Sequence, residues 1–245
     1  MGAALRAAGA PDPVVQAGLN AAAAAGQRAE PAGRHTILDA AQIARLHAAL
    51  AASDPDLALL ARALDETGNR PVQLLGLTLA DLDAAHCLLH VPASAKGKPG
   101  SARRPAVSVP ITPALARDLA AAAGADTQAR RLFTRPLRVQ TAGAFADWRD
   151  TGARTGWTKN VWSRPFREAV IAAGLPADTT LYSLRHSRIV AMIQANVPLR
   201  IIASVTDTST AMIEKHYSRW IARTADAVAQ VRRVLSHADV NVAAA

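Results

Sequence analysis

The sequence predicts an α+β domain that is predominantly helical and holds one small β-hairpin or sheet. Three observations predict it. Alanine-rich stretches with leucine, isoleucine or valine three and four residues apart recur along most of the chain beyond residue 35. Aromatic residues make up only 4% of the 245, so side chains are thin and helices can approach closely. The period changes once, where "HCLLHVP" (86–92) and "AVSVPIT" (106–112) read as two short strands.

Local signals place each element in order. Residues 1–34, which include "PDPVVQAGLNAAAAAGQRAEPAGR", hold few large apolar side chains and are expected to form a flexible Ala/Gly/Pro-rich arm or linker. Asp39 with Gln42 makes a capping-box pattern ahead of Ile43, Leu46 and Leu50 at helical spacing. Asp54 caps a second helix, Pro55 sits in its first turn, and Leu57, Leu60 and Leu64 form its inner stripe. Gly68 stops that helix just before Asn69 and Arg70. A helical piece, "PVQLLGL", leads through "TLADLD" to the two strands, which are joined by "ASAKGKPGSARRP". This linking finger is rich in glycine and positive charge, and folding alone does not require it. "PALARDLAAAAG" is helical again, and loop material rich in Gly and Arg is expected up to about Gly156.

Further on, "NVWSRPFREAVIAAG" is apolar at helical spacing, with Pro165 expected to start or kink that helix. Ser183 is expected to cap a helix ending near Asn196, Pro198 to open the short helix "LRIIASV", and Ser209 to cap one carrying Glu214, Lys215, His216 and Tyr217. "TADAVAQVRRVLSH" puts Val228, Val231, Val234 and Leu235 on one face, an amphipathic helix suited to docking in cis or on a neighbour.

Composition narrows the function. The formal net charge is +9, from 28 basic against 19 acidic residues, and lysine occurs only at Lys96, Lys98, Lys159 and Lys215. Arginine grips phosphate bidentately, so the excess points towards nucleic acid. The lone cysteine, Cys87, excludes an internal disulfide and is expected in the core. Apolar stretches are too short to span a bilayer, and the start "MGAALRAAGA" matches neither a secretory signal nor, with Arg6, a myristoylation site. A cytoplasmic protein, nucleoid-associated when bound to DNA, is the expectation. The seven histidines are scattered and C-x-x-C is absent, so no metal is expected. Without a P-loop, a dinucleotide fingerprint or a G-x-S-x-G elbow, no cofactor and no serine-hydrolase chemistry is expected.

Four segments remain: "TGNRPVQLLGLTLADL", "PASAKGK", "YSLRHS" and "AMIEKHYSRWI", in that order. Together they resemble the tyrosine recombinases, the phage-integrase family of DNA-breaking and rejoining enzymes, over about His35 to Leu235. The resemblance implies a catalytic domain at 35–238 followed by a tail at 239–245. It implies catalytic roles for Arg70 and Arg185 on the phosphate, Lys96 (or Lys98) as general acid, and Tyr217 as nucleophile. Tyr182 stands where the family usually has histidine, Thr206 and Asp207 stand in place of "G-H", and Gln73 replaces a frequent glutamate. Tyr182 could hydrogen-bond a phosphate oxygen but is a poor base. Asp207 is expected to turn aside, to hold Arg185 or to cap the helix after Ser209. His186 and His216 flank catalytic candidates, and His186 is read as a packed, satisfied core histidine.

The implied partner is double-stranded DNA, contacted by Lys98, Arg103, Arg104, Arg188 and Arg200, with a homo-oligomer (tetramer) assembled on DNA through the C-terminal helix. Family members also carry an N-terminal DNA-clamping domain; with only the alanine-rich arm in its place, weaker affinity and synapsis are expected. Two rival readings stand beside this one. One is a DNA-binding protein without catalysis, because "SLRHSRIVAMIQANVPLRIIASV" can pass for a helix-turn-helix. The other is a phosphate-handling enzyme acting on a small ester.

Overall fold

The computed structural model describes residues 36–93, 105–123, 131–140 and 148–221. All of these belong to the unit that begins at His35. The expected arm at 1–34, the finger residues Lys96, Lys98, Arg103 and Arg104, the C-terminal helix and the tail lie outside the described residues.

Eight helices among the described residues follow the signals closely. Asp39 accepts from the Gln42 backbone N–H at 2.8 Å, and its own backbone N–H donates to the Gln42 side-chain oxygen at 2.9 Å, opening α1 (Ala40–Ser53). Asp54 accepts from Leu57 N–H at 3.0 Å and opens α2 (Pro55–Thr67). Gly68, at φ 65°, ends α2 in the left-handed region that glycine tolerates best. The next helix, α3, is only four residues long (Pro71–Leu74), and "LAD" (Leu79–Asp81) is a 3-10 turn.

A three-stranded antiparallel sheet follows in the order β1 (Leu82–Asp83), β2 (Leu88–Val91), β3 (Val107–Pro110). The pair Leu89↔Val109 points inward and is buried, while His90↔Ser108 faces out. Cys87 is half-buried, not core: it occupies the β1–β2 turn at φ 55°. His86 and His90, four residues apart, turn to Asp83 and Ser108 respectively.

After α4 (Pro113–Ala123), the stretch expected to be loop is instead a two-stranded antiparallel hairpin, β4 (Thr134–Gln140) with β5 (Trp148–Gly156). It lacks a buried face that would impose alternation, which is why the period gave no strand signal. Its base is tied to the core instead: Arg154 donates to the Asp56 carboxylate and to the Thr134 hydroxyl.

Helix α5 (Lys159–Ala172) begins six residues before Pro165, so the proline lies inside the helix and does not start it. Thr180, not Ser183, precedes α6 (Leu181–Gln194); Ser183 reaches back, and its hydroxyl accepts from Thr180 N–H at 3.0 Å. Helices α7 (Leu199–Val205) and α8 (Thr210–Tyr217) complete the order, and Ser209 caps α8 by accepting from Met212 N–H at 3.2 Å.

Two buried clusters hold the unit together. The larger joins Leu46 and Leu50 of α1, Leu57, Leu60 and Leu64 of α2, Leu115 and Leu119 of α4, Phe133 and Leu184. The smaller joins Ile189, Val190 and Ile193 of α6 to Ile202, Ile213 and Tyr217. Each fully buried leucine or isoleucine contributes about 1.5–3 kcal/mol. Helix α6 enters both clusters, so Arg185 and His186 sit where the two meet. No helix among the described residues is long and apolar enough to cross a membrane.

Candidate active site

Arg70 immediately precedes α3, and its backbone N–H donates to the Gln73 side-chain oxygen at 3.2 Å. Its Nη1 donates to the Asp207 carbonyl at 2.8 Å and to the Asp207 carboxylate at 3.0 Å. Arg185 lies one turn into α6 and is 5% exposed. Its Nη1 donates to the Gly68 carbonyl at 2.6 Å and to the Thr206 carbonyl at 2.7 Å. Both guanidiniums are thus anchored through Nη1 onto the Thr206–Asp207 segment, and Arg185 also onto Gly68. Among the described residues, Nε and Nη2 of each have no hydrogen-bond partner. Those two donors form the edge that grips an oxyanion bidentately. Burial and the neighbouring Arg70 charge lower Arg185 to about 10, which still leaves it charged at neutral pH.

Asp207 turns aside as expected, but its partner corrects the expectation. It holds Arg70 rather than Arg185, and Ser209 takes the capping role. The backbone at Asp207 is left-handed, φ 49°, and this bend carries the carboxylate inward until the residue is only 7% exposed. Gln73 then donates its amide to the same carboxylate at 3.1 Å and to the Pro92 carbonyl at 3.0 Å. The two departures from the family pattern are therefore one unit. A carboxylate at 207 needs a donor at 73, where a glutamate would repel it. Thr206 is fully buried; its hydroxyl donates to the Ile202 carbonyl at 2.6 Å, so it takes no part in the cleft.

Tyr217 ends α8, is 5% exposed, and has its hydroxyl 2.6 Å from His186 Nδ1. Burial pushes its phenol up to about 12, opposed by the Arg185 charge. His186 is therefore not a core histidine. It is half-buried, with its ring centroid 5.9 Å from Tyr217 and 6.3 Å from Tyr182. The sequence contained the signal: His186 lies four residues after Tyr182, one helical turn along the same face. Tyr182 is 44% exposed at the mouth. Arg70, Tyr182, Arg185, His186, His216 and Tyr217 line a common cleft of about 170 Å³.

Of the residues expected on the DNA path, Arg188 is tied inward: Nε donates to the Asp65 carbonyl and Nη2 lies 3.5 Å from its carboxylate. This pair fastens α6 to the end of α2. Arg200 is exposed on α7.

A predominantly helical domain with small antiparallel sheets has the fold of a tyrosine-recombinase-like catalytic domain. Residues 36–222 match the Phage integrase family, and the chain belongs to that family. The fold is similar to the XerA recombinase, with TM-score 0.55 and 20% identity over 80% of this chain and 63% of that one. It is also similar to the Tn1549 transposon integrase in complex with transposon right end DNA, with TM-score 0.59 and 16% identity over 84% of this chain and 67% of that one. The catalytic domain of bacteriophage HP1 integrase gives TM-score 0.53 and 18% identity over 80% of this chain and 94% of that one. A comparison with curated protein sequences finds no match.

Proposed function

We propose that this chain is the catalytic part of a site-specific DNA recombinase that cleaves and rejoins a strand through a 3′-phosphotyrosine. The observation that carries the reading is the convergence of Arg70, Arg185 and Tyr217 on one cleft. Negative charge gathers on the non-bridging oxygens as the phosphate is attacked, and the Nε–Nη2 edges of both arginines are suited to bind it. Tyr217 Oη attacks phosphorus and the 5′ oxygen leaves, protonated by Lys96 or Lys98 of the basic finger. The new bond is again a phosphodiester, so rejoining requires no external energy source. Double-stranded DNA is the proposed partner, with finger residues Arg103 and Arg104 and exposed Arg200 along its path, and a homo-oligomer formed on it.

The test is a covalent adduct on a nicked suicide DNA duplex. The wild-type chain should become linked to the 3′ side, and Tyr217→Phe should lose the adduct while retaining DNA binding. An undiminished adduct in Tyr217→Phe would remove the assignment. One observation favours a second reading, a DNA-binding protein that no longer cuts: the Asp207 carboxylate already rests on Arg70. On that reading the wild-type chain binds the duplex and forms no adduct.

A further inference from the structure

We infer that His186 is the group that takes the proton of Tyr217 as the tyrosine attacks, replacing the imidazole absent from position 182. The inference rests on the recombinase reading and adds to it a named proton acceptor. His186 Nδ1 and Tyr217 Oη are 2.6 Å apart, within reach of direct proton transfer. Tyr182 is exposed and is itself a phenol, so it cannot serve as a base near neutrality. An imidazole can, because its ordinary pKa of about 6.5 leaves it largely unprotonated above pH 7.

The need for an acceptor follows from the surroundings of Tyr217. It is nearly fully buried among Ile189, Ile202 and Ile213, so a free phenolate is disfavoured before attack. The proton must leave as the bond to phosphorus forms. His186 lies on α6, which enters both apolar clusters, and α8 carries Tyr217 on the second, so the packing of two helices fixes the pair. The charged and titratable groups around the pair are Tyr182 and Arg185 on α6, His216 on α8, Arg70 before α3, and Asp207 behind Arg70.

In cleavage the Oη–P bond forms and the P–O5′ bond breaks. The phenolic proton passes to Nδ1, giving imidazolium, and the departing 5′ oxygen takes a proton from the finger lysine or from water. In rejoining, the P–O5′ bond forms and the Oη–P bond breaks; the 5′ hydroxyl gives its proton to the finger lysine or to water, and the imidazolium returns its proton to Oη.

Single-turnover cleavage of the suicide duplex, followed against pH, tests this. The wild-type rate should fall along a one-proton limb on the acid side of its pH profile. His186→Gln should be slower by about a hundredfold to ten-thousandfold and lose that limb. His186→Asn keeps an acceptor oxygen near the position of Nδ1 but cannot take up a proton; it too should lose the limb. His186→Ala should recover part of its rate with added imidazole, which a merely structural role would not allow. His216→Gln, also in the cleft, should keep the limb. Thermal unfolding of each variant checks that the fold persists. A His186→Gln protein that folds and cleaves at the wild-type rate, or retains the acid limb, overturns the inference and leaves the recombinase reading standing. A wild-type chain that binds the duplex and forms no adduct overturns both.

Discussion

Asp207 shows how one residue changes the chemistry around it. Facing the scissile phosphate, a carboxylate would oppose binding; bent back by its left-handed backbone, it instead fixes Arg70. Gln73 is the other half of this arrangement, and Gln73→Glu would set two carboxylates against each other about 3 Å apart. That variant should lose about 1–3 kcal/mol of stability in urea unfolding at pH 7. The loss should shrink as pH falls, because protonating one carboxyl of the pair removes the repulsion. Tyr217 can be measured just as directly. The chain has two tyrosines, so in Tyr182→Phe the phenolate absorbance reports Tyr217 alone. It should titrate near 12, above the ordinary value of about 10. The folded state keeps the proton that the unfolded chain has lost, so stability from this group is full below about pH 10 and disappears as pH rises through 12. A midpoint near 10 would place the phenol in solvent.

At the scale of elements, the end of α2 decides where Arg185 points. Gly68 adopts φ 65°, and a Cβ there would meet Arg188 Cγ and Thr206 Cγ2, each at 3.1 Å. Its carbonyl also receives Arg185. Gly68→Ala combines left-handed strain with this crowding, and should cost about 1–2 kcal/mol. Because the carbonyl moves with the backbone, DNA affinity should fall as well. Stability and binding measured on the same preparation check both; an unchanged midpoint would mean that the turn relaxes freely. The β4–β5 hairpin illustrates the opposite case. Arg154, Asp56 and Thr134 hold its base, and the outward strands carry no apolar stripe.

For the whole molecule, charge is the governing quantity. With a net +9 carried mostly by arginine, binding to DNA should draw most of its free energy from phosphate contacts, and affinity should fall steeply as salt rises. Replacing Lys98, Arg103 and Arg104 by alanine should flatten the plot of log affinity against log salt by about one unit per lost phosphate contact. A slope equal to that of the wild type would route the DNA away from the finger. Arg188→Ala should instead lower stability more than it alters this slope, because Arg188 is paired with Asp65.

The sequence by itself determined the helical class, the caps at Asp39, Asp54 and Ser209, the stop at Gly68, the β2–β3 pair and the family. The helices, caps and individual strands depend on residues within a few positions of one another, where period and turn chemistry are local, and the family on short motifs that are each local too. It also determined which side chains were candidates for the site. Only the tertiary structure decided how they are joined. Arg70 meets Asp207, 137 residues away, and Tyr217 meets His186, 31 residues away. The first depends on the left-handed backbone at Asp207 and the second on how α6 and α8 meet in the smaller apolar cluster, and nothing in the spacing along the chain specifies them. The β4–β5 hairpin escaped for a related reason: its strands are stabilised by backbone pairing and by Arg154, not by a buried alternating face that the sequence would display.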